Sequence, residues 1–371
     1  MSRFQIAPQV AGLASYQPGK PIEETKRELG LDDVIKLASN ENPFGPSPKA
    51  TVAIAEALSE LHRYPDGSGF HLKRALVRHL AAQGHTKTPD ELVLGNGSNE
   101  ILVFMMRALA TSGANMVIGW PSFVVYPIAG QAAGFEVRRV PLVDYRYDVR
   151  ALLEHVDATT RLVVVGHPNN PTGTYIPKPD LQRLADGLRD DIVLVVDEAY
   201  FEYADAPDYM SGLDLERKNV FVLRTLSKAY GLAGLRLGYG IGDKALVGYL
   251  NRVREPFNVN ALALVGGAAS LDDTAHVERS VRENARERAR VGKAIAELGF
   301  LVVATQANFV LVDFRKPAMP IYDALLKQGV ITRPMSPYDL HEHLRISFGT
   351  AAENDRLLRA LGTVALGTVR A

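Results

Sequence analysis

The sequence of 371 residues contains no cysteine, no excess of either charge and no long uninterrupted apolar run. The lack of cysteine excludes disulfides, thiolate metal sites, iron–sulfur clusters and cysteine nucleophiles, so catalysis must use other side chains or a cofactor. Because 42 Lys+Arg balance 42 Asp+Glu, charge gives no reason to expect nucleic acid or an anionic membrane as a partner. Without an export signal at the start or a run approaching the roughly 20 apolar residues of a membrane span, we expect a soluble, cytoplasmic protein.

The composition is that of an ordinary globular protein, with 47% hydrophobic and 23% charged residues. The length suggests roughly two domains. Short runs rich in valine, isoleucine and leucine alternate with amphipathic stretches from about residue 66 to residue 256. The runs lie at 91–95, 114–119, 161–168, 191–200 and 219–226. Because they are continuous and do not alternate with polar residues, they predict strands covered on both faces in a mainly parallel sheet.

Two local patterns in the first part of the chain predict specific backbone structure. Leucines spaced by four residues predict a helix over 69–83, with Ser68 as its cap and Gly84 as its stop. The segment NENPFGPSPKA at 40–50 is expected to be irregular, because its prolines fix the backbone and remove hydrogen-bond donors. We expect it to cross from the N-terminal arm to the large domain.

Beyond Pro256 the pattern changes to a long, charged helix around 275–297, followed by the short apolar runs LVVAT, ANFVLVDF and HLRISFG. This order is typical of a smaller α+β domain. We therefore predict a large domain over 46–256, with an N-terminal arm and small domain formed by 1–45 and 257–371.

A lysine that follows a strand carries the most chemical information. Lys228 lies in TLSKAYGLAGLRLGYG at 225–240. Burial there lowers the pKa of a lysine, and a neutral amine forms a Schiff base with an aldehyde, which suggests pyridoxal phosphate as a cofactor. Thr225, Ser227 and Arg236 offer donors to its phosphate. The alternative is a strand-end turn with a solvated lysine.

Upstream residues favour the cofactor. Asp197 ends an apolar run, where a carboxylate needs a cationic partner, and a protonated pyridine nitrogen is such a partner. Tyr200 follows three residues later and is placed to bind the ring hydroxyl. Asn170, in the turn GHPNNPTG, is placed to donate to the same oxygen, with an ordinary Asx turn as the alternative.

Two further segments suit the phosphate and the ring of such a cofactor. In LGNGSNE a strand runs through a glycine turn into a helix, so the backbone N–H groups of Ser98 and Asn99 can hold a phosphate. Simple helix capping is the alternative. Phe123, in WPSFVVYP, can stack on the ring, although a core phenylalanine fits the same pattern.

The order GNGSNE, PSF, NNPTG, DEAY, SK and Arg236 resembles that of the fold type I pyridoxal-phosphate-dependent aminotransferases, and the likeness spans essentially the whole chain. Within them, YQPGKPIEETKRELGLDDVIKLASNENPFGPSP, RYPDGSG at 63–69, ITRP and LRISFGT are similar to segments of the histidinol-phosphate aminotransferases. The resemblance implies an α/β fold, with a mainly parallel seven-stranded sheet covered by helices in the large domain and a smaller α+β domain.

The resemblance also implies roles for the residues just named. Lys228 holds the cofactor covalently, Asp197 pairs with its ring nitrogen, and Asn170 and Tyr200 bind its ring hydroxyl. The remaining cofactor contacts are the phosphate cup and the stacking ring: Ser98, Asn99, Thr225, Ser227, Arg236 and Phe123. No metal is implied.

The same resemblance extends to the partner subunit and the substrate. It implies that Tyr64 reaches the cofactor phosphate of a neighbouring subunit, so that a homodimer shares its active sites. The implied substrate-binding residues are Tyr16, Asn42, Arg333 and Arg345. From the residues alone, Tyr16 packing the N-terminal arm and Arg333 forming a surface ion pair remain alternatives.

The implied reaction is reversible ping-pong transamination of imidazole-acetol phosphate with L-glutamate, which gives L-histidinol phosphate and 2-oxoglutarate in histidine biosynthesis. An aromatic-amino-acid aminotransferase and a threonine-phosphate decarboxylase are alternatives within enzymes. A pyridoxal-phosphate-binding transcription regulator is disfavoured, because the sequence begins with the enzyme-like arm and not with a basic helix-turn-helix segment.

Overall fold

The computed structural model describes residues 4–368. These residues form thirteen α-helices, numbered α1 to α13 in chain order: Pro8–Ala11, Ile22–Leu29, Pro48–Ala57, Phe70–Ala82, Ser98–Leu109, Val125–Ala133, Val149–Glu154, Lys178–Gly187, Lys244–Val253, Ala261–Leu271, Thr274–Glu297, Met319–Lys327 and Ala351–Thr368. They also form thirteen strands, β1 to β13: Ile35–Lys36, Leu92–Asn96, Asn115–Trp120, Glu136–Pro141, Thr160–Gly166, Val193–Asp197, Val220–Thr225, Leu237–Ile241, Leu301–Val302, Phe309–Asp313, Val330–Ile331, Arg333–Pro334 and His343–Ser347.

Seven strands form the central sheet in the order β2-β8-β7-β6-β5-β3-β4, and β8 runs antiparallel to both of its neighbours. The inner strands β5, β6 and β7 are buried along almost their whole length, because apolar clusters cover both faces of the sheet. This confirms the predicted mainly parallel seven-stranded sheet. The apolar runs do not reveal β4, an edge strand with the polar sequence EVRRVP, or β8, which contains two glycines.

Helix α4 confirms the predicted helix but not its predicted cap. The residue before the helix is Gly69, whose φ of +63° suits glycine, and Ser68 lies outside. Asp66 closes the turn instead, because its carboxylate accepts hydrogen bonds from the backbone N–H groups of Ser68 and Phe70, each at 2.8 Å. Ser68 as the cap is therefore wrong.

The segment 40–50 is irregular only as far as Ser47. Pro48 starts α3, since a proline in the first turn removes a donor that has no partner within the helix. The Ser47 hydroxyl caps this helix by accepting from the backbone N–H of Ala50 at 3.1 Å.

A second, antiparallel sheet has the order β12-β13-β10-β9 and packs with α11, α12 and α13 around its own apolar cluster. This confirms the predicted smaller α+β part. Strand β1 pairs in parallel with β11 and so connects the N-terminal segment to this part. Helix α10 packs on α3 and α4, in the core cluster of the larger part, and the domain boundary at 256 stays a prediction.

The sheet topology brings several strand ends together. Because β8 is antiparallel, the chain turns back directly after β7, and residues 226–236 lie at the carboxyl edge of the sheet. Strands β2, β3, β5 and β6 end at the same edge, where open α/β sheets bind their ligands. Within residues 4–368 no helix is long and apolar enough to cross a membrane.

Candidate active site

A cavity of about 230 Å³ lies at this carboxyl edge, between the large sheet and the strands β12 and β13. It brings together thirteen of the fifteen residues predicted to bind cofactor or substrate: Tyr16, Ser98, Asn99, Phe123, Asn170, Asp197, Tyr200, Thr225, Ser227, Lys228, Arg236, Arg333 and Arg345. The other two, Tyr64 and Asn42, lie outside it.

The amine of Lys228 faces this cavity. Its Nζ donates a hydrogen bond to the backbone carbonyl of Ser39 at 3.1 Å and lies 5.8 Å from the centre of the Tyr200 ring. Burial, together with the positive charges of Arg345 and Arg236, lowers the pKa of Lys228 to about 8. Near neutral pH a useful fraction of the amine is therefore uncharged and nucleophilic.

Asp197 ends β6 with its carboxylate buried. The Tyr126 hydroxyl donates to Oδ2 at 2.7 Å, and the backbone N–H of Ala199 donates to Oδ1 at 3.2 Å. Burial raises the pKa of Asp197 to about 6, while the hydrogen bond from Tyr126 opposes the rise. Among the described residues no lysine, arginine or histidine lies within 4 Å of this carboxylate, and Asp197 lines the cavity, so a cationic group of a ligand can lie beside it.

The turn from β2 into α5 forms a cradle for an anion. Gly97 has a φ of +81°, and a Cβ there would lie 2.5 Å from an Arg236 Nη atom. A Cβ at Gly238 would lie 2.2 Å from the backbone nitrogen of Ser98, so only glycine allows this close approach. The start of α5 therefore presents its free N–H groups next to a guanidinium, which also donates to Ser227 Oγ at 3.3 Å.

Tyr200 and Asn170 are held by residues from the smaller part of the chain. The Asn40 amide donates to the Tyr200 hydroxyl at 2.9 Å, and burial raises the pKa of Tyr200 to about 12. An Arg345 Nη atom donates to Asn170 Oδ1 at 2.5 Å. Phe123 lies edge-to-face with Tyr126, with ring centroids 5.6 Å apart.

Two arginines meet across strands β12 and β13, where Arg333 pairs in register with Arg345. Arg333 donates to the backbone carbonyl of Gln17, and its guanidinium lies 6.0 Å from the centre of the Tyr16 ring. Arg345 is buried, and its Nε atom has no hydrogen-bond partner. Neither arginine has a carboxylate within 4 Å among residues 4–368, and Asp197 is the one acidic residue lining the cavity there.

Two predicted residues are not brought to this cavity. Asn42 turns its amide toward the backbone carbonyl of Ala229 at 2.8 Å and toward Ser280 Oγ at 3.0 Å, and Asn40 lines the cavity in its place. Tyr64 is 84% exposed and stacks on Phe257 with ring centroids 4.9 Å apart.

Four polar side chains that the sequence motifs did not predict also line the cavity: Ser39, Asn40, Tyr126 and Tyr338. Tyr126 lies in the segment WPSFVVYP, three residues after Phe123. The backbone N–H of Tyr126 donates to the Phe123 carbonyl at 2.9 Å in the turn that leads into α6, so the spacing of three residues is a signal that could have identified it.

A buried ion pair supports the cavity from behind. Glu198 directly follows Asp197, and Arg224 directly precedes Thr225. Arg224 Nε donates to Glu198 Oε2 at 2.9 Å, with both side chains almost fully buried. The Ser211 hydroxyl and the Gly212 N–H donate to Glu198 Oε1 at 2.8 and 2.7 Å. This ion pair therefore joins the carboxyl end of β6, which carries Asp197, to that of β7, which carries Thr225.

Comparison with known proteins matches residues 32–361 to the family of class I and II aminotransferases. The chain is 46% identical to histidinol-phosphate aminotransferase 2 of Methylococcus capsulatus, over 96% of this chain and 97% of that protein. It is also 46% identical to histidinol-phosphate aminotransferase 2 of Pseudomonas aeruginosa, over 96% of each chain. A solved structure of a histidinol-phosphate aminotransferase from Sinorhizobium meliloti, in complex with pyridoxal-5'-phosphate, has a TM-score of 0.88 and 29% identity, with 99% of each chain covered.

Proposed function

Since the chain belongs to the class I and II aminotransferases, we propose that it is a histidinol-phosphate aminotransferase of histidine biosynthesis. It transfers an amino group reversibly between L-glutamate and imidazole-acetol phosphate, and the products are 2-oxoglutarate and L-histidinol phosphate. The observation that carries the proposal is the pair Arg333 and Arg345, two arginines without carboxylate partners among the described residues, which face one cavity together.

The residues at the strand ends fit pyridoxal phosphate. The glycine-lined start of α5, with Thr225, Ser227 and Arg236, suits its phosphate. Asp197, which has no cationic side chain beside it among the described residues, suits its ring nitrogen. Asn170 and Tyr200 would bind its ring hydroxyl, and Phe123 would stack on its ring. When bound, this cofactor supplies an aldehyde carbon that amines attack and a protonated ring that withdraws electrons from the amine-bearing carbon.

Lys228 has two tasks in this proposal. It would hold the cofactor between reactions, and with a substrate bound its free Nζ would accept a proton from the substrate α-carbon. A pKa of about 8 suits both tasks, because the amine is then able to accept and to return a proton near neutral pH.

Arg345, Arg333 and Tyr16 bind the anionic end of the substrate. Glutamate presents a carboxylate here, for which one guanidinium can provide two parallel hydrogen bonds. The phosphate of histidinol phosphate has more acceptor oxygens and more charge, and we expect it to use Arg333 and Tyr16 as well as Arg345.

A comparison of the two half-reactions tests this assignment. Arg333→Ala should lower kcat/KM for histidinol phosphate by about 10- to 150-fold, the effect of one charge-assisted contact of roughly 1.5–3 kcal/mol, and should affect the glutamate half-reaction much less. Arg359→Ala, which removes an exposed arginine on α13, is the matched control and should change neither. Equal losses on both substrates would mean that Arg333 supports the site only generally.

We also propose a homodimer with shared active sites. Tyr64 stacks on Phe257, and both side chains are exposed. Further apolar side chains close to Tyr64 in the sequence are exposed as well, and a second subunit would cover them: Val52, Leu58, Leu61 and Phe70. In this arrangement Tyr64 reaches the cofactor phosphate of the neighbouring subunit.

Mixed subunits test the shared site. When inactive Lys228→Ala and Tyr64→Ala subunits are mixed, about half of the dimers should be heterodimers, each with one site free of both changes. About a quarter of the wild-type activity should return. A fully active monomer in sedimentation would contradict the dimer.

The compartment belongs to the same proposal. We place the enzyme in the cytoplasm, a reducing compartment with which a chain lacking cysteine is compatible. Fractionation of cells that produce the protein tests this, and recovery from an exported fraction would contradict it.

A further inference from the structure

One aromatic side chain in the cavity wall has no role in the proposed reaction so far. Tyr338 ends the short 3₁₀ helix Ser336–Tyr338 and is buried, with 4% of its surface exposed. It packs against Met335 and Leu311 and lines the cavity beside Tyr16.

The Tyr338 ring is supported from behind by a stack of side chains from the large sheet. The Trp120 ring stacks on it, with centroids 5.8 Å apart and an angle of 21° between the planes. The Trp120 Nε1–H donates to Asp339 Oδ2 at 3.1 Å, and the Arg139 guanidinium lies 4.5 Å from the centre of the Trp120 ring. Tyr338 is thereby held in one orientation.

The surroundings of the Tyr338 hydroxyl are those of an anion site. Arg345, Arg333 and Tyr16 line the cavity with it and act on it electrostatically, and the backbone N–H of Val124 lies within reach of its oxygen. Burial raises the pKa of Tyr338, so the hydroxyl keeps its proton across the neutral range. Within residues 4–368 no carboxylate or carbonyl accepts that proton, which leaves it available to a ligand.

We propose that Tyr338 is a further substrate-binding residue, whose hydroxyl donates a hydrogen bond to the phosphate of a phosphomonoester substrate, and that Trp120 positions it. This inference rests on the proposed function. A phosphate has three terminal oxygens and accepts several donors at once, whereas a carboxylate has two, which the Arg345 guanidinium alone can engage. Tyr338 therefore favours the phosphorylated substrate over glutamate at the same site.

Two tyrosines of the same apolar cluster make a matched pair for the test. Tyr338→Phe keeps the ring in the stack and removes only the hydroxyl. Tyr145→Phe does the same to a tyrosine whose hydroxyl contacts His343 Nε2 at 2.9 Å and does not line the cavity. The emission of Trp120, the one tryptophan of the chain, reports whether the stack is intact in each variant.

Binding is measured by calorimetry on pyridoxal-phosphate-loaded enzyme reduced with borohydride, so that turnover plays no part. Tyr338→Phe should raise the Kd for histidinol phosphate by about 10- to 150-fold and leave the Kd for histidinol, which lacks the phosphate, unchanged. In unreduced enzyme, KM for histidinol phosphate should rise far more than kcat falls. Tyr145→Phe should change none of these values.

An unchanged Kd for histidinol phosphate in Tyr338→Phe, or an equal loss for histidinol, would overturn the inference and leave the proposed function standing. A wild-type protein that binds no histidinol phosphate would overturn the proposed function, and this inference with it.

Discussion

The buried pair Glu198–Arg224 and the surface pair Arg150–Glu154 allow burial to be tested at constant geometry. Both pairs join an arginine Nε to a glutamate oxygen at 2.9 Å. The side chains of the first pair are 1% and 0% exposed, and those of the second are 87% and 59% exposed. Distance alone would predict equal contributions to stability.

We expect Arg224→Met to lower the free energy of unfolding by about 3–5 kcal/mol, because it leaves the charge of Glu198 buried without its partner. The variant also removes hydrogen bonds to Gln83 and Ser211 and the contact of the guanidinium with the Phe201 ring, 3.7 Å away. Arg150→Met should lower the free energy of unfolding by less than about 1 kcal/mol, since water solvates both Arg150 and Glu154.

Urea unfolding, followed by far-ultraviolet circular dichroism, measures both variants. The single variant Glu198→Gln and the double variant Glu198→Gln/Arg224→Met complete a double-mutant cycle for the buried pair. The double variant should lose less than the sum of the single losses, because the two changes remove one shared interaction. Equal losses for Arg224→Met and Arg150→Met would refute the reasoning that burial, and not distance, sets the value of an ion pair here.

Two further predictions concern the cofactor site. Borohydride reduction of the pyridoxal-phosphate-loaded protein should label Lys228, and a label on another residue would contradict this. In cofactor-free protein, the rate of covalent cofactor attachment should rise about tenfold per pH unit up to about pH 8 and then level off, because the pKa of about 8 sets the fraction of neutral Lys228. A rate that still rises at pH 10 would contradict this. Gly238→Ala should weaken binding of pyridoxal phosphate in equilibrium dialysis, because its Cβ would lie 2.2 Å from the Ser98 nitrogen and push the start of α5 away; an unchanged Kd would contradict this use of the glycine.

Most of the residues predicted to bind the cofactor could be brought together from the sequence, because they follow apolar strands that end at one edge of the sheet. Asp197 ends β6, Lys228 follows β7 and Ser98 follows β2, so the pattern of strands alone brings them together. The roles of these side chains toward a bound cofactor stay predictions.

Other parts of the site depend on tertiary packing that a motif does not encode. Asn40 and Asn42 lie two residues apart in one irregular segment, and only the contacts of that segment with Ser347 and Ser280 decide which asparagine faces the cavity. Tyr338 comes from a short 3₁₀ turn, and its place in the wall depends on the stack with Trp120, more than 200 residues earlier. Strands β4 and β8 were not predicted for a local reason: polar residues in β4 and glycines in β8 interrupt the apolar run that marks the other strands.

The most direct test of the account is a single-turnover comparison of substrates on the wild-type protein loaded with pyridoxal phosphate. Histidinol phosphate, phenylalanine and threonine phosphate are mixed with it separately, and the absorbance change of the bound cofactor gives kcat/KM for each half-reaction. We predict amino transfer from histidinol phosphate with a kcat/KM at least about tenfold above that of phenylalanine, since the second arginine adds a charge-assisted contact to the phosphate. A preference for phenylalanine, or release of carbon dioxide from threonine phosphate, would contradict it.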